Sequence, residues 1–190
     1  MSATSAPFGF RPVFHPSGLD RAIALANGIA SGYATGILKN QPVALNTSGV
    51  LIIATAGSAF QGVFAGVEYT DASGRRQINN QFPASTAFQT GSCVAYYYSD
   101  PLIVYEVQVD ATLTQTSIGD QANMSNATAG STTTGLSAAT LSATLAGTSA
   151  VGDFRILDIA PYADNAWGDA FPIVRVQVSR SQFVATINAI

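Results

Sequence analysis

The sequence predicts an all-β protein: a single antiparallel β-barrel or sandwich, of jelly-roll or β-tulip type, with an extended N-terminal arm. Short runs of β-branched and aromatic residues alternate with polar ones at period two. Turn residues punctuate these runs at short intervals, and no segment sustains a helical period. The 190 residues suffice for one substantial core. Only 10% of them are charged although 47% are hydrophobic, against roughly 25% charged in an ordinary soluble domain. A chain this poor in surface charge is expected to lie against other protein surfaces.

Residues 1–18 read as the arm. In extended backbone alternate side chains share a face, which sets Phe8, Phe10, Pro12 and Phe14 on one side and Gly9, Arg11, Val13 and His15 on the other. Pro7, Pro12 and Pro16 forbid a helix or a central strand, because each removes a backbone donor. The arm therefore lies along an edge or over a surface, either that of its own body or that of a neighbouring subunit.

Residues 19–190 form the body. Asp20 to Ala26 could open a helix capped by Asp20, but Asn27-Gly28 stops it within two turns, and Gly32, Tyr33, Gly36 and Ile37 suit strand edges; a strand is favoured. Gln41 to Leu45, the turn Asn46-Thr-Ser-Gly49 and Val50 to Ala54 make a hairpin. Ala59 to Tyr69 is a strand in which Gly62 and Gly66 allow a bulge or a close backbone approach, and Asp71-Ala-Ser-Gly74 is the next turn. The single Cys93 sits as a buried thiol in the strand Ser92 to Tyr96. Two segments then echo each other, each with Ile-Val followed by Val-Gln-Val. Pro101 to Asp110 sets Ile103, Tyr105, Val107 and Val109 on one face, and Phe171 to Ser179 does the same with Val174, Val176 and Val178. They read as convergence on one kind of half-buried environment. Phe154 to Ile159 adds another strand. Residues 111–150 are dominated by Ala, Ser, Thr and Gly, with one charge (Asp120) and no aromatic ring. An exposed loop near 125–135 and a thin strand near 137–146 are expected there, peripheral to the core.

Several functions lose support at this level. A net charge of −3 argues against a nucleic-acid surface, which needs clustered Lys and Arg; Arg75-Arg76 reads as a solvated turn. The N-terminus lacks a basic segment followed by an apolar stretch, and no run approaches the roughly 18 to 20 apolar residues of a membrane span. A protein made in the cytoplasm, with no membrane or nucleic-acid partner, is expected. One cysteine excludes an intrachain disulfide or a Cys-based metal site. One histidine, His15, leaves a single candidate base, and a His15–Cys93 pair conflicts with an inert mid-strand thiol. Glu106 alternates with apolar residues and reads as solvent-exposed or as a subunit salt bridge. Asp164-Asn-Ala-Trp-Gly-Asp169 has oxygen ligands enough to consider calcium, but a structural turn anchored by Trp167 is preferred. No catalytic, cofactor-binding or metal residue is assigned, and no cofactor is expected.

Ala6-Pro-Phe-Gly-Phe-Arg-Pro-Val13, Ile29-Ala-Ser-Gly-Tyr-Ala-Thr35, Gly62-Val-Phe-Ala-Gly-Val-Glu-Tyr-Thr70, Ile103 to Asp110 and Asp164-Asn-Ala-Trp-Gly-Asp-Ala-Phe171 together resemble a family of tailed-bacteriophage virion proteins. These are abundant head proteins of the decoration, or cement, type. The resemblance covers most of the chain outside 111–150 and lies in structural texture rather than in a catalytic signature. It implies a non-enzymatic protein on the capsid exterior of the virion, bound to a shell of major capsid protein, commonly as a homotrimer, and stabilising the head. From the facing pattern of the arm, the candidate capsid or subunit contacts are Phe8, Phe10, Arg11, Pro12 and Phe14, through addition of a strand to a shell edge. The alternative is a carbohydrate- or receptor-binding β module of a virion, such as a head fibre or tail accessory protein, using Tyr96, Tyr97, Tyr98 and Trp167.

Overall fold

Strands form where the period-two runs stand, and the turns between them decide which run meets which. The computed structural model describes residues 2–18 and 21–184; the prospective cap Asp20 lies outside the described residues. In chain order the strands are β1 (Arg11–Phe14), β2 (Ile23–Ala26), β3 (Pro42–Leu45), β4 (Leu51–Ile53), β5 (Gly62–Thr70), β6 (Arg76–Asn79), β7 (Val94–Tyr98) and β8 (Val104–Gln108). A 3-10 turn at Gln115–Ser117 precedes β9 (Gln121–Ser125), β10 (Gly130–Ser131), β11 (Leu136–Ser137), β12 (Thr140–Leu145), β13 (Phe154–Ile159) and β14 (Ile173–Val178).

These strands build an antiparallel sandwich. The first sheet has the order β1-β8-β14-β13-β9-β12; the second runs β2-β7-β5-β3-β4, with β6 added to β5, and β10-β11 is a separate two-stranded ladder. Alternation sends Tyr105 and Val107 of β8, Phe154 and Ile156 of β13, and Val174 and Val176 of β14 into the space between the sheets. Ala44 of β3, Val63 of β5 and Phe60 meet them from the second sheet's side. The far face of the second sheet carries its own cluster, where Val43, Phe64, Val67, Cys93, Ala95 and Tyr97 are covered by Ile29, Ile37 and Phe82 from connecting segments. Burial raises the Cys93 thiol above its ordinary range, in keeping with an inert core position.

The two echoing segments are neighbours. Val174 pairs opposite Val107 and Val176 opposite Tyr105, so their likeness reflects adjacent places at the centre of one sheet. That sheet also curls: Leu141 of β12 bridges Val109, just past β8, and the Asp110 amide donates to the Leu141 carbonyl at 2.9 Å. Local chemistry sets the turns. Asn46 Oδ1 accepts the Ser48 and Val50 amides, and Gly49 takes the left-handed conformation at φ +74°. At Gly62 a Cβ would stand 1.8 Å from the Tyr98 carbonyl oxygen, so close backbone approach demands glycine there.

Segment 111–150 departs from expectation. β12 falls inside the expected thin strand and β10 inside the expected loop, with β11 just after it, but β9 lies between β13 and β12 within the first sheet. Ala122, Met124, Ala139 and Leu141 are fully or almost fully buried. The segment is thus part of the core rather than peripheral to it. Small residues suffice because large ones face them: Ala122 pairs opposite Phe154, whose ring fills the volume that a larger residue on β9 would have taken. Fully buried Asp153 joins this strand to a distant loop, accepting the Met124 amide at 3.0 Å and the Gly57 amide at 3.0 and 3.2 Å.

Met124→Ala is therefore expected to lower stability by about 2–5 kcal/mol in denaturant unfolding, while exposed Thr133→Ala stays within about 0.5 kcal/mol. Equal, small effects would return the segment to the periphery.

Candidate functional site: the N-terminal strand and its grooves

Simple alternation would put Phe8, Phe10, Pro12 and Phe14 on one face; Gly9 prevents it. Its φ is +74°, and a Cβ there would lie 2.4 Å from the Asn40 carbonyl oxygen. That oxygen accepts the Phe10 amide at 2.9 Å, and Asn40 Nδ2 donates to the Phe8 carbonyl at 3.2 Å. The twist turns Phe10 into the main core, where it is fully buried and stacked on Phe154 with centroids 4.3 Å apart and planes 10° apart. β1 then pairs with β8, Arg11 opposite Glu106 and Pro12 opposite Tyr105, and its register slips before Phe14 pairs with Val104. Phe14 ends 56% exposed. Phe8 is half-buried, its ring centroid 4.9 Å from Arg11 Cζ. The three rings thus have three environments, and Phe10 belongs to the chain's own core.

Glu106 is the second departure. Expected on a solvated face, it is 2% exposed, because the outward face of β8 is roofed by the N-terminal segment and by the turn before β14. Gln108, next outward on the same strand, accepts the Ala6 amide at 2.8 Å and donates to the Thr4 and Phe171 carbonyls at 2.9 and 3.2 Å. Ser2 is clasped by that turn: its carbonyl accepts the Phe171 amide at 2.7 Å, and its hydroxyl donates to the Asp164 carbonyl at 2.6 Å and to the Asp169 carboxylate.

Beneath this roof, Glu106 Oε2 accepts Arg11 Nη2 at 2.7 Å and the Tyr162 hydroxyl at 2.6 Å, while Oε1 accepts Arg175 Nε at 3.3 Å. Arg11 Nη2 also donates to the Tyr162 oxygen at 2.5 Å. Both arginines stand opposite Glu106 in register, one on each neighbouring strand. Burial pushes the Glu106 carboxyl up, but hydrogen bonds from Tyr162, Arg11 and Arg175 and the charge of Arg11 outweigh it, holding it below the ordinary glutamate range. The hydrogen bond to Glu106 in turn pushes the Tyr162 phenol up.

Two shallow grooves flank β1. One, about 360 Å³, is lined by Phe8, Arg11, Lys39, Tyr98 and Leu136 among others; the other, about 340 Å³, by Val13, Phe14, Val104, Leu157 and Arg175. A larger cleft of about 590 Å³ holds His15 and Asp100. His15 Nε2 meets Asp100 Oδ2 at 3.0 Å, and Nδ1 accepts the Ser17 amide at 3.1 Å with the Ser17 hydroxyl at 2.6 Å. This string pins the end of β1 to the turn between β7 and β8, and it does not bring His15 to Cys93, which lies in the second core.

The Asp164–Asp169 stretch is a turn. Asp169 Oδ2 accepts the Ala166 amide at 2.8 Å, Asn165 bonds the Ala160 carbonyl and both backbone groups of Ile173, and Trp167 packs on the main core. Among the described residues no three of His, Cys, Asp and Glu gather as metal ligands. Tyr97 is buried in the second core while Tyr96 and Tyr98 are half-buried on the opposite face, so the three do not form one aromatic platform. Comparison with family models, with curated proteins and with solved structures finds no match.

A glutamate whose carboxyl is held below its unfolded value contributes stability that is present above about pH 4.3 and lost as pH falls through the folded value. Denaturant unfolding between pH 3 and 7 should show this loss. Glu106→Gln should be less stable at neutral pH by about 1–3 kcal/mol and should flatten the acid slope. An unchanged slope would mean that the carboxylate is not held as described.

Proposed function

We propose that this chain is a structural subunit of a tailed-bacteriophage head, a decoration protein that binds the outer surface of the capsid shell as a homotrimer and stabilises it. The observation that carries the reading is the surface beside β1, where exposed Phe14 lines one groove together with Val13, Leu157 and Arg175. Aromatic and aliphatic anchors next to an arginine are the composition of an interface centre. Low overall charge supports the same reading, since such a chain gains by covering its surface, and so does the resemblance of its motif blocks to head proteins. Docking of the arm on its own body adds a physical reason for tight attachment: a contact strand already fixed in place avoids most of the ordering cost of binding. Phe14 and Arg11 then act as surface contacts, and Phe10 as the internal bolt that holds them there.

The test is addition of the purified chain to shells assembled from the major capsid protein of the phage that encodes it. Native mass measurement of the free protein is expected to give three chains per complex, and binding to shells is expected to be saturable. Phe14→Ser should keep the melting temperature and weaken shell binding by about tenfold or more, as loss of one buried ring implies. A monomer that ignores shells would overturn the reading, and unaltered binding by Phe14→Ser would move the contact away from β1.

A further inference from the structure

We propose that the two grooves flanking β1 recognise an acidic, apolar segment of the shell protein, carboxylates seating on Lys39, Arg11 and Arg175 and aliphatic side chains on Phe8, Phe14 and Leu157. This inference rests on the head-subunit reading above and names the chemistry of its partner.

Charge carries it. The chain as a whole is negative, at −3, yet among the described residues no carboxylate lines either groove, and cations line both: Arg11 and Lys39 on one side, Arg175 on the other. Glu106, the only carboxylate paired with these arginines among the described residues, lies beneath them with a side chain 3% exposed, while the arginine side chains are 46% and 38% exposed. Arg11 and Arg175 are matched in number by buried Glu106 and by exposed Asp158, which stands opposite Arg175 in register on β13. Lys39 makes the face cationic by one charge: the lysine is exposed and makes no salt bridge among the described residues. Its backbone is fixed by bonds to Gly135 and Ser137, each at 2.9 Å. Arg175 spends only Nε on Glu106, at 3.3 Å, so among the described residues its terminal nitrogens remain for the forked recognition of a carboxylate.

The edge itself argues for side-chain recognition. β1 is the outermost strand of its sheet, but Pro12 lacks a donor and the register slips between Pro12 and Phe14. These features blunt an edge against continuous strand addition. Specificity then falls to the grooves, with cations selecting acidic residues and the rings and aliphatics taking what lies between them.

The experiment measures binding to the same shells at about 50 and 300 mM salt, where exposed charges pass from weakly to strongly screened, for the native chain, Lys39→Glu, Lys39→Gln and Arg175→Gln. A synthetic hexapeptide of alternating Asp and Val serves as competitor, with the Lys–Val hexapeptide as control. Salt-sensitive native binding is expected, with Lys39→Glu weaker by about tenfold or more, Lys39→Gln intermediate, melting temperatures unchanged for both Lys39 variants, and competition by the acidic peptide alone. Shell binding that survives Lys39→Glu and Arg175→Gln at either salt overturns this inference and leaves the head-subunit reading standing. Loss of self-association in Lys39→Glu with shell binding intact overturns it too, because the occupant is then a second copy. Native chain that fails to bind shells at all removes both.

Discussion

The Glu106 carboxylate is the constraint on which the outer face of the first sheet depends. Taking a carboxylate out of water costs several kcal/mol unless it is paired and its lone pairs are satisfied. β8 points this residue outward, where a solvated side chain would be expected, and the N-terminal segment then closes over the strand. Once closed, Arg11 and Arg175 must flank it and Tyr162 must cap it. The same closure requires Gln108 to bond the arm and Ser2 to reach the turn before β14. Sheet, arm and turn thereby become one cooperative unit.

Phe10 and Glu106 fasten the N-terminal segment from opposite sides of the sheet. The ring inserts inward against Phe154, contributing about 1.5–3 kcal/mol for full burial. Arg11, the next residue, projects outward to the carboxylate. A strand held on both faces presents Phe14 and the two arginines in a fixed arrangement, so that the proposed binding through this surface would add little ordering cost to that already met in folding.

Much of this architecture was legible in the sequence because period two is local. The inward faces of β8 and β14, the hairpin around Gly49 and the strand Phe154–Ile159 depend on neighbours in the chain. β9 was hidden because Ala122 is informative only when Phe154 stands opposite, a pairing made 32 positions apart. Glu106 was misread for a related reason: the side chains that bury and pair it come from positions 95, 56 and 69 residues away, and no local pattern announces them. At the arm the signal was present and its meaning was not. Gly9 between two phenylalanines marks the place where alternation breaks, but only the Asn40 carbonyl against it shows why. Of the five residues assigned to contact, Phe10 lies in the core, Arg11 is shared between the Glu106 socket and the surface, and Phe8, Pro12 and Phe14 border the grooves.

Native-state hydrogen exchange of the free chain tests the central claim most directly, because the Phe10 amide is protected only if the arm is docked on its own body. Its exchange should be as slow as that of Val176 in β14 and independent of protein concentration. Exchange of Phe10 at open-chain rates, with Val176 still protected, would show that the arm is not part of the free fold and that the Glu106 socket forms only when a partner arrives.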